Sequence, residues 1–345
     1  MELPTASSHT FETIIGQDLV KRFLLRATQQ GRLPQALLFT GPEGVGKRSL
    51  MFALAKHLAT QGMDPQGEPA RRARGKIERG VHPDVILVEP RSASGQILKD
   101  QVDEMDERAY FAPLEAPWKT ILIAPIEAMN QVAANHLLKL LEEPPPALHL
   151  LLSTQQIHQT LTTIRSRCAL LRCPPVDLEA LVRWLVAGAG CPQRRAETAA
   201  RLSGGRPGLA LQLVSGEDEE KRRRIAGELE FFQREGYPSI FRVGRNLLDA
   251  AGGAAQAMAA LAFWFRDLLV ASLTAAEGTV DDSLLMNRDM ADTAAATARQ
   301  FSPAGLARAL GKVLARRNQM VQPFVDSDLL FEVLLTDLGI ALKAR

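Results

Sequence analysis

Cysteine is scarce in this sequence: Cys168, Cys173 and Cys191 are the only three thiols in 345 residues. Their number is odd, and no pair has the Cys-X-X-Cys spacing of metal sites and redox motifs. The scarcity argues against a disulfide framework and against a zinc site built on these residues. We therefore expect a protein of the reducing cytoplasm.

Excess charge of one sign and long apolar runs are also lacking. The 41 basic and 39 acidic residues give a net charge of only +2, so there is no global electrostatic footprint of a nucleic-acid binder. No uninterrupted apolar run reaches the length of about eighteen residues that a membrane-spanning helix needs. The first residues lack the basic start and apolar run of a secretory signal. We expect a soluble, intracellular chain with no membrane partner.

Short apolar runs recur through the first half of the chain, and helical patterns separate them. Runs of this length, bounded by turn residues, predict parallel strands buried on both faces. The predicted fold class is therefore α/β with a parallel sheet. The runs lie at 36–40, 84–90, 120–125, 148–154 and 168–173.

One of the intervening helices can be placed from its capping and its periodicity. Asn130 is the predicted N-cap, and the proline run 144–146 ends the helix. Its buried stripe is predicted to contain Val132, Leu137, Leu138 and Leu141.

Strand-like runs stop after residue 175, and Gly-rich breaks then separate helical patterns to the end. A chain of 345 residues is long enough for two or three domains. We predict a P-loop α/β domain at 1–174, a small helical lid at 175–214 and an all-helical C-terminal domain at 215–345.

A glycine-rich turn follows the first strand-like run and opens an apolar helix. Gly41, Gly44 and Gly46 let the backbone wrap a phosphate, the helix N-terminus adds positive potential, and Lys47 reaches the outer phosphates. The hydroxyl that should follow this lysine and hold magnesium is missing, because Arg48 stands there. The pattern predicts a degenerate P-loop, with a coincidental glycine turn as the alternative.

The strand that should end in the magnesium-positioning acid of a P-loop ATPase ends without one. Ala124 and Pro125 stand at its tip. Glu127 is the only candidate, but it lies beyond the proline, and we interpret it as a surface glutamate at a helix start.

Two arginines, Arg165 and Arg167, lie between the last two strand-like runs. Arginines in a loop usually belong to a solvated face or contact a phosphate. Periodicity alone does not distinguish Arg167 from its neighbour.

Several longer motifs follow one another along the chain. They are FETIIGQ (11–17), RLPQALLFTGPEGVGK (32–47), HPD (82–84), MNQVAANHLLKLLEEPP (129–145), TIRSRC (163–168), GGRPGLAL (204–211) and WFRDLL (264–269). In this order they resemble the DNA polymerase III delta prime and gamma family of AAA+ clamp-loader subunits. The resemblance is dense in the first half of the chain and thin afterwards.

This resemblance implies a fold, a function and a role for one residue. The implied fold is an AAA+ P-loop domain with a helical lid and a C-terminal collar domain through which subunits assemble into a ring. Such a ring opens a sliding clamp and loads it on primed DNA. The implied partners are gamma/tau-type and delta-type subunits, the sliding clamp, and primer-template DNA reached through the assembled complex.

The Ser-Arg-Cys arginine of this family enters the ATP site of the adjacent subunit, which assigns that catalytic role in trans to Arg167. We expect Arg165 to pack or to form a salt bridge instead. Arg48 and the Ala124-Pro125 tip depart from the ATP-hydrolysing gamma type and favour the delta prime branch. That branch is not catalytic alone and requires no cofactor, although weak ATP or ADP binding stays open. The alternatives are an active clamp-loader motor subunit and an unrelated P-loop kinase.

A second departure from the family concerns zinc. Relatives commonly carry zinc-binding cysteines between the P-loop helix and the HPD motif, whereas residues 62–84 contain none, so we expect no zinc. We interpret the basic residues of this segment as a solvated loop, with contact to DNA phosphates as the alternative. They are Arg71, Arg72, Arg74, Lys76 and Arg79. The histidines share no ligand spacing, and we interpret His82, His136, His149 and His158 as structural.

Overall fold

The computed structural model describes residues 9–91, 96–158, 160–214, 216–235, 239–275, 281–320 and 326–343. Contacts within the chain divide it into two compact units. Unit 1 consists of Met1–Ala189 and Gly204–Leu209, and unit 2 consists of Gly190–Ser203 and Ala210–Arg345.

Strands and helices alternate along unit 1. The strands are β1 (Ala36–Thr40), β2 (Val85–Val88), β3 (Lys119–Ile123), β4 (Leu148–Thr154) and β5 (Ala169–Arg172). The helices are α1 (Asp18–Gln29), α2 (Lys47–Ala59), α3 (Glu68–Glu78), α4 (Lys99–Ala109), α5 (Gln131–Glu142), α6 (Thr162–Arg165) and α7 (Leu178–Ala189), with a 3-10 turn at Ile126–Ala128.

The sheet of unit 1 has the strand order β2-β3-β4-β1-β5, and every pairing is parallel. Alternate side chains of a strand point to opposite faces. Leu37 and Phe39 therefore join one apolar core with α1 and α2, whereas Leu38 joins a second core with α4 and α5. Helices cover both faces, which confirms the predicted α/β class and brings the carboxyl ends of β1, β3 and β4 to one edge.

The last strand, β5, does not fit the expectation of burial on both faces. It is an edge strand, paired only with β1. Leu171 is buried, whereas Leu170 is 43% exposed. The adjacent leucines of the run hid this asymmetry, because burial at a sheet edge depends on what covers each face.

The basic segment predicted as a loop is helix α3. Ala70, Ala73 and Ile77 recur at three- and four-residue steps and are all buried, so they form a narrow apolar stripe. The arginines between them obscured this stripe in the sequence. Arg72 pairs with Glu68 one turn earlier at 2.8 Å, as exposed residues on a helix do.

Helix α5 begins and ends as predicted. The side-chain oxygen of Asn130 accepts a hydrogen bond from the amide of Ala133 at 2.8 Å, which is N-cap geometry. The predicted stripe was wrong at Val132, which is 50% exposed. The helix instead buries Ala133, Ala134, Leu137, Leu140 and Leu141.

Unit 2 is helical wherever the structure assigns secondary structure to it. Its elements are α8 (Gln193–Ser203), α10 (Gly216–Glu235), α11 (Ile240–Ala251), α12 (Ala254–Ala275), α13 (Ala291–Ala298), α14 (Pro303–Gln319) and α15 (Ser327–Lys343), with 3-10 turns at Asp282–Leu284 and Arg288–Met290. Helix α9 (Pro207–Leu213) begins in unit 1 and ends in unit 2. The core of unit 2 forms around α12, which contacts α10, α11, α13, α14 and α15.

Helix α12 is also long and apolar enough to cross a membrane, judged by length and composition over Ala254–Thr274. Half of that stretch is buried inside the protein. Asp267 in its middle is fully buried and accepts hydrogen bonds from the amides of Met286 and Asn287, each at 2.8 Å. A buried carboxylate with satisfied oxygens is typical of the core helix of a helical domain.

The predicted lid, 175–214, is divided between the two units, since α7 belongs to unit 1 and α8 to unit 2. Polar contacts inside unit 2 hold α8. Glu197 forms an ion pair with Arg288, and Thr198 donates to Asp289 at 3.2 Å. The three-domain organisation with these boundaries stays a prediction.

Candidate functional site

The glycine-rich turn lies between β1 and α2, at the carboxyl edge of the sheet. A side chain at Gly41 would place its Cβ 2.2 Å from the carbonyl oxygen of Cys173, so only glycine fits there. Gly44 has a φ of 81° and Gly46 a φ of 100°, conformations that favour glycine. The turn therefore has the backbone of a P-loop, and phosphate binding by it stays a prediction.

The ammonium group of Lys47 contacts its own loop. Its Nζ donates to the carbonyl oxygens of Gly41 at 2.6 Å and Pro42 at 2.8 Å. Burial lowers the pKa of Lys47, while the nearby ionisable groups Cys173, Glu127 and Glu43 oppose that shift. Two of the three N–H donors of this ammonium group are thus engaged by the chain.

Two further contacts fix the turn from outside. The amide of Gly208 donates to the carbonyl oxygen of Gly44 at 2.8 Å, and a Cβ at Gly208 would lie 3.2 Å from the Cα of Gly44. Gln17 donates from Nε2 to the carbonyl oxygens of Val45 at 3.3 Å and Pro174 at 2.7 Å. Distant parts of unit 1 therefore hold the loop in one conformation.

Arg48 occupies the place of the magnesium-binding hydroxyl and forms a two-point ion pair with Glu89. The Nη1–Oε1 distance is 2.9 Å and the Nη2–Oε2 distance is 3.0 Å. Burial raises the pKa of Glu89, and Arg48 opposes that shift. The guanidinium also lies 5.4 Å from the ring centre of Phe52. A cation anchored in this way leaves the position without an oxygen ligand for a metal.

The tip of β3 carries no acid. Ala124 is buried and Pro125 follows it. The loop amides could still face a phosphate, but Arg48 and this tip do not fit a bound magnesium ion. The site therefore lacks both metal-holding groups of a working P-loop ATPase.

Glu127 lies in the 3-10 turn after this tip, so its placement at a helix start is confirmed. Its carboxylate, however, accepts hydrogen bonds from the hydroxyl of Thr154 and from the amides of Gln155 at 2.5 Å and Gln156 at 2.9 Å. The interpretation as a simple surface glutamate was incomplete. Glu127 caps the carboxyl end of β4.

The second predicted site, around Arg167, follows the short helix α6. Ile164 is 3% exposed and anchors this helix in the core with α5. Arg167 donates from Nη1 to the carbonyl oxygen of Thr163 at 3.0 Å and from Nη2 to Glu142 at 2.7 Å. Its side chain keeps 34% of its surface exposed.

We expected Arg165 to pack or to form a salt bridge, but in the described part of the chain the residue is exposed and has no ion pair. Arg167 forms the pair instead, because the last turn of α5 places Glu142 beside it. Sequence reasoning missed both Glu142 and Glu89 as partners. The LEEPP motif that contains Glu142 was the available signal for the first; no sequence signal marked the second.

Ion pairs hold the segment between α2 and β2, where we expected no zinc. Lys56 pairs with Glu78 at 2.8 Å and Lys76 with Glu115 at 2.6 Å. Across the described ranges, no group of three or more His, Cys, Asp or Glu side chains could hold a metal ion. Burial raises the pKa of Cys168 and of Cys173 to about 11, so both are thiols at neutral pH.

The parallel sheet, the P-loop turn and the separate helical unit define a protein of the AAA+ class. A gamma subunit-related protein of DNA polymerase III from Thermotoga maritima matches 91% of this chain and 97% of its own, with a TM-score of 0.50 and 16% identity. At this identity the likeness shows the fold, an α/β AAA+ domain with a helical C-terminal part.

Sequence comparison identifies the family. The family described as "DNA polymerase III, delta subunit" matches residues 16–177. DNA polymerase III subunit delta' of Escherichia coli K12 is 30% identical over 318 residues, which is 91% of this chain and 90% of that protein. Subunit delta' of Pseudomonas aeruginosa is 37% identical over 195 residues, 54% of this chain and 58% of that protein. The chain therefore belongs to the delta prime family of DNA polymerase III clamp-loader subunits.

Proposed function

We propose that this chain is a non-hydrolysing clamp-loader subunit that provides Arg167 as an arginine finger to the ATP site of a neighbouring subunit. The observation that carries the proposal is the loss of both metal-holding groups at the P-loop, in a chain that keeps the Ser-Arg-Cys arginine. Arg48 stands in the hydroxyl position and the β3 tip carries no acid, whereas Arg167 is present and its side chain is partly exposed. A protein that cannot position a metal but presents such a group is suited to complete another protein's site.

Charge neutralisation by Arg167 would contribute strongly to the rate of ATP hydrolysis at the neighbouring site. Phosphoryl transfer depends almost entirely on positioning and on stabilising charge on the transferred group, and an arginine finger contributes between about 10³ and 10⁵ in rate. Arg167 follows α6, which Ile164 anchors in the core. A rigid base with a projecting guanidinium fits that requirement.

The proposed partners are gamma/tau-type and delta-type subunits, with the sliding clamp and primer-template DNA reached through the assembled complex. We place assembly in the region 215–345, whose helices carry no catalytic motif. The proposed location is the cytoplasm, where replication takes place in bacteria.

An active motor subunit is the alternative, and the retained glycines and Lys47 are what favour it. Arg48 and the Ala124-Pro125 tip weigh against it. ATP turnover by the isolated chain would favour this alternative.

The test is a reconstituted loader in which only the ATP site next to this subunit can hydrolyse, the P-loop lysines of the other sites being replaced. With Arg167→Ala, we expect clamp- and DNA-stimulated hydrolysis to fall on the order of 10³-fold, while assembly measured by native mass is unchanged. Arg167→Lys should recover little, because an ammonium group cannot reproduce the planar fork of a guanidinium. Arg165→Ala is the matched control and should keep full hydrolysis. Equal hydrolysis by wild type and Arg167→Ala would leave this chain a purely structural subunit.

A further inference from the structure

A carboxylate from a different motif lies beside Arg167. Glu142 is the last residue of α5, and its Oε1 accepts a hydrogen bond from Nη2 of Arg167 at 2.7 Å. The other terminal nitrogen, Nη1, donates to the carbonyl oxygen of Thr163 at 3.0 Å. Two acceptors, one from α5 and one from α6, thus hold the two ends of one guanidinium.

We infer that Glu142 is a positioning residue for Arg167, which rests on the proposed role of that arginine in trans. A guanidinium is a planar fork of N–H donors with fixed directions, so fixing two of them fixes the plane of the group. The remaining N–H donors, including that on Nε, stay available for the oxygens of a phosphoryl group. Arg167 therefore reaches the neighbouring site already oriented.

The environment of the pair indicates orientation rather than stabilisation of the fold. The Arg167 side chain is 34% exposed and the Glu142 side chain 51% exposed, and ion pairs this exposed contribute little to folding. A long arginine side chain does lose rotamer freedom when it becomes ordered at a binding site. A partner that holds it beforehand reduces that loss, which raises the rate at the neighbouring site without adding a contact to ATP.

A different function of the same contact is distinguishable. Glu142 could compete with the phosphoryl group for the guanidinium, as a resting partner that Arg167 must leave. Its removal would then raise hydrolysis at the neighbouring site. The positioning role requires the opposite sign.

The experiment uses the reconstituted loader with one active neighbouring ATP site and measures kcat and KM for ATP. We expect Glu142→Ala to lower kcat about 3- to 10-fold with KM unchanged, in keeping with one exposed charge-assisted contact. Glu142→Gln should lose less, because its amide oxygen still accepts from Nη2. Glu143→Gln is the matched control: Glu143 stands next in the chain, and its side chain has no hydrogen bond or ion pair within the described residues.

A double-mutant cycle separates this inference from the proposed function. In an Arg167→Ala background, Glu142→Ala should cause no further loss, because Glu142 acts only through that arginine. Unchanged or raised kcat in Glu142→Ala, or a loss that persists without Arg167, would overturn the positioning role while Arg167 keeps its own. If Arg167→Ala alone has no effect, the proposed function and the inference fall together.

Discussion

The basic side chains of the P-loop region and of the loop after α6 differ in their partners and in the motif that contains them. At the P-loop, Lys47 bonds its own loop carbonyls and Arg48 is paired at two points with Glu89. After α6, Arg167 is held by an exposed carboxylate, and Arg165 has no ion pair among the described residues. Both arginines are paired with a carboxylate, so the regions differ in position and not in charge neutralisation: Arg48 stands where a P-loop ATPase has a metal-binding hydroxyl, whereas Arg167 stands in the Ser-Arg-Cys motif.

The largest effect expected from this comparison is the absence of catalysis at the P-loop. The isolated chain should show no magnesium-dependent ATP hydrolysis, because Arg48 and the Ala124-Pro125 tip remove both metal-holding groups. Relative to a working site, the loss should exceed about 10³-fold, since positioning and charge neutralisation supply nearly all catalysis in phosphoryl transfer. Phosphate release is the measurement, with Lys47→Ala as control. Turnover in the wild type that disappears in Lys47→Ala would show instead that the P-loop of this chain hydrolyses ATP.

A smaller effect concerns the contribution of each region to the free energy of unfolding. Gly41→Ala places a Cβ 2.2 Å from the carbonyl oxygen of Cys173, and we expect a loss of about 2–4 kcal/mol in the free energy of unfolding. Ser166→Ala removes two exposed hydrogen bonds, one donated to Thr163 and a longer one accepted from Arg167, and should change that free energy by about 0.5 kcal/mol or less. Urea denaturation of both variants tests the difference. Gly188→Ala, with nothing within 4 Å, is the control for glycine replacement. Equal stability of Gly41→Ala and Gly188→Ala would contradict a tightly fixed P-loop turn.

The smallest expected effect is a difference between the two units in how their stability depends on pH. All six histidines precede residue 190, and burial lowers the pKa of His9, His57, His82 and His149 from the ordinary value of 6.5. The unfolded chain therefore binds protons below about pH 6.5 that the folded chain resists, so unit 1 loses stability as pH falls through that window. Each pKa unit of difference corresponds to about 1.4 kcal/mol.

In unit 2 the corresponding group is Asp289. Burial raises the pKa of Asp289, but Arg222 and Thr198 more than offset this and hold it below 3.8. Its contribution to stability is thus lost only as pH falls below that value. Hydrogen exchange, corrected for intrinsic rates, should show unit 1 losing protection between pH 7.5 and 5.5 while unit 2 keeps it. An equal loss of protection in both units would contradict the assignment of this pH dependence to the histidines of unit 1.

Local patterns allowed much of the fold to be predicted. The run at 148–154 is β4 residue for residue, and Asn130 caps α5 as its side-chain chemistry requires. Patterns dominated by one residue type were less informative. Arginines hid the stripe of α3, and Val132 was assigned to the buried face of α5 although Ala133 takes that place.

The residues of the site could be predicted from the sequence, but their long-range partners could not. The glycines of the P-loop, Lys47 and the lack of an acid at the β3 tip could be taken from the sequence. The partners of the cations could not, because Glu89 lies 41 residues from Arg48 and Glu142 lies 25 residues from Arg167. Pairs this distant in sequence are brought together by the tertiary fold, which no local pattern reveals.

We propose that this chain acts through Arg167 and not through its own P-loop. The most direct test is a reconstituted loader in which this subunit alone carries either Arg167→Ala or Lys47→Ala, with clamp- and DNA-stimulated ATP hydrolysis as the measurement. We predict that Arg167→Ala greatly lowers hydrolysis at the neighbouring site and that Lys47→Ala leaves it at the wild-type level. Loss of hydrolysis with Lys47→Ala and normal hydrolysis with Arg167→Ala would contradict the account.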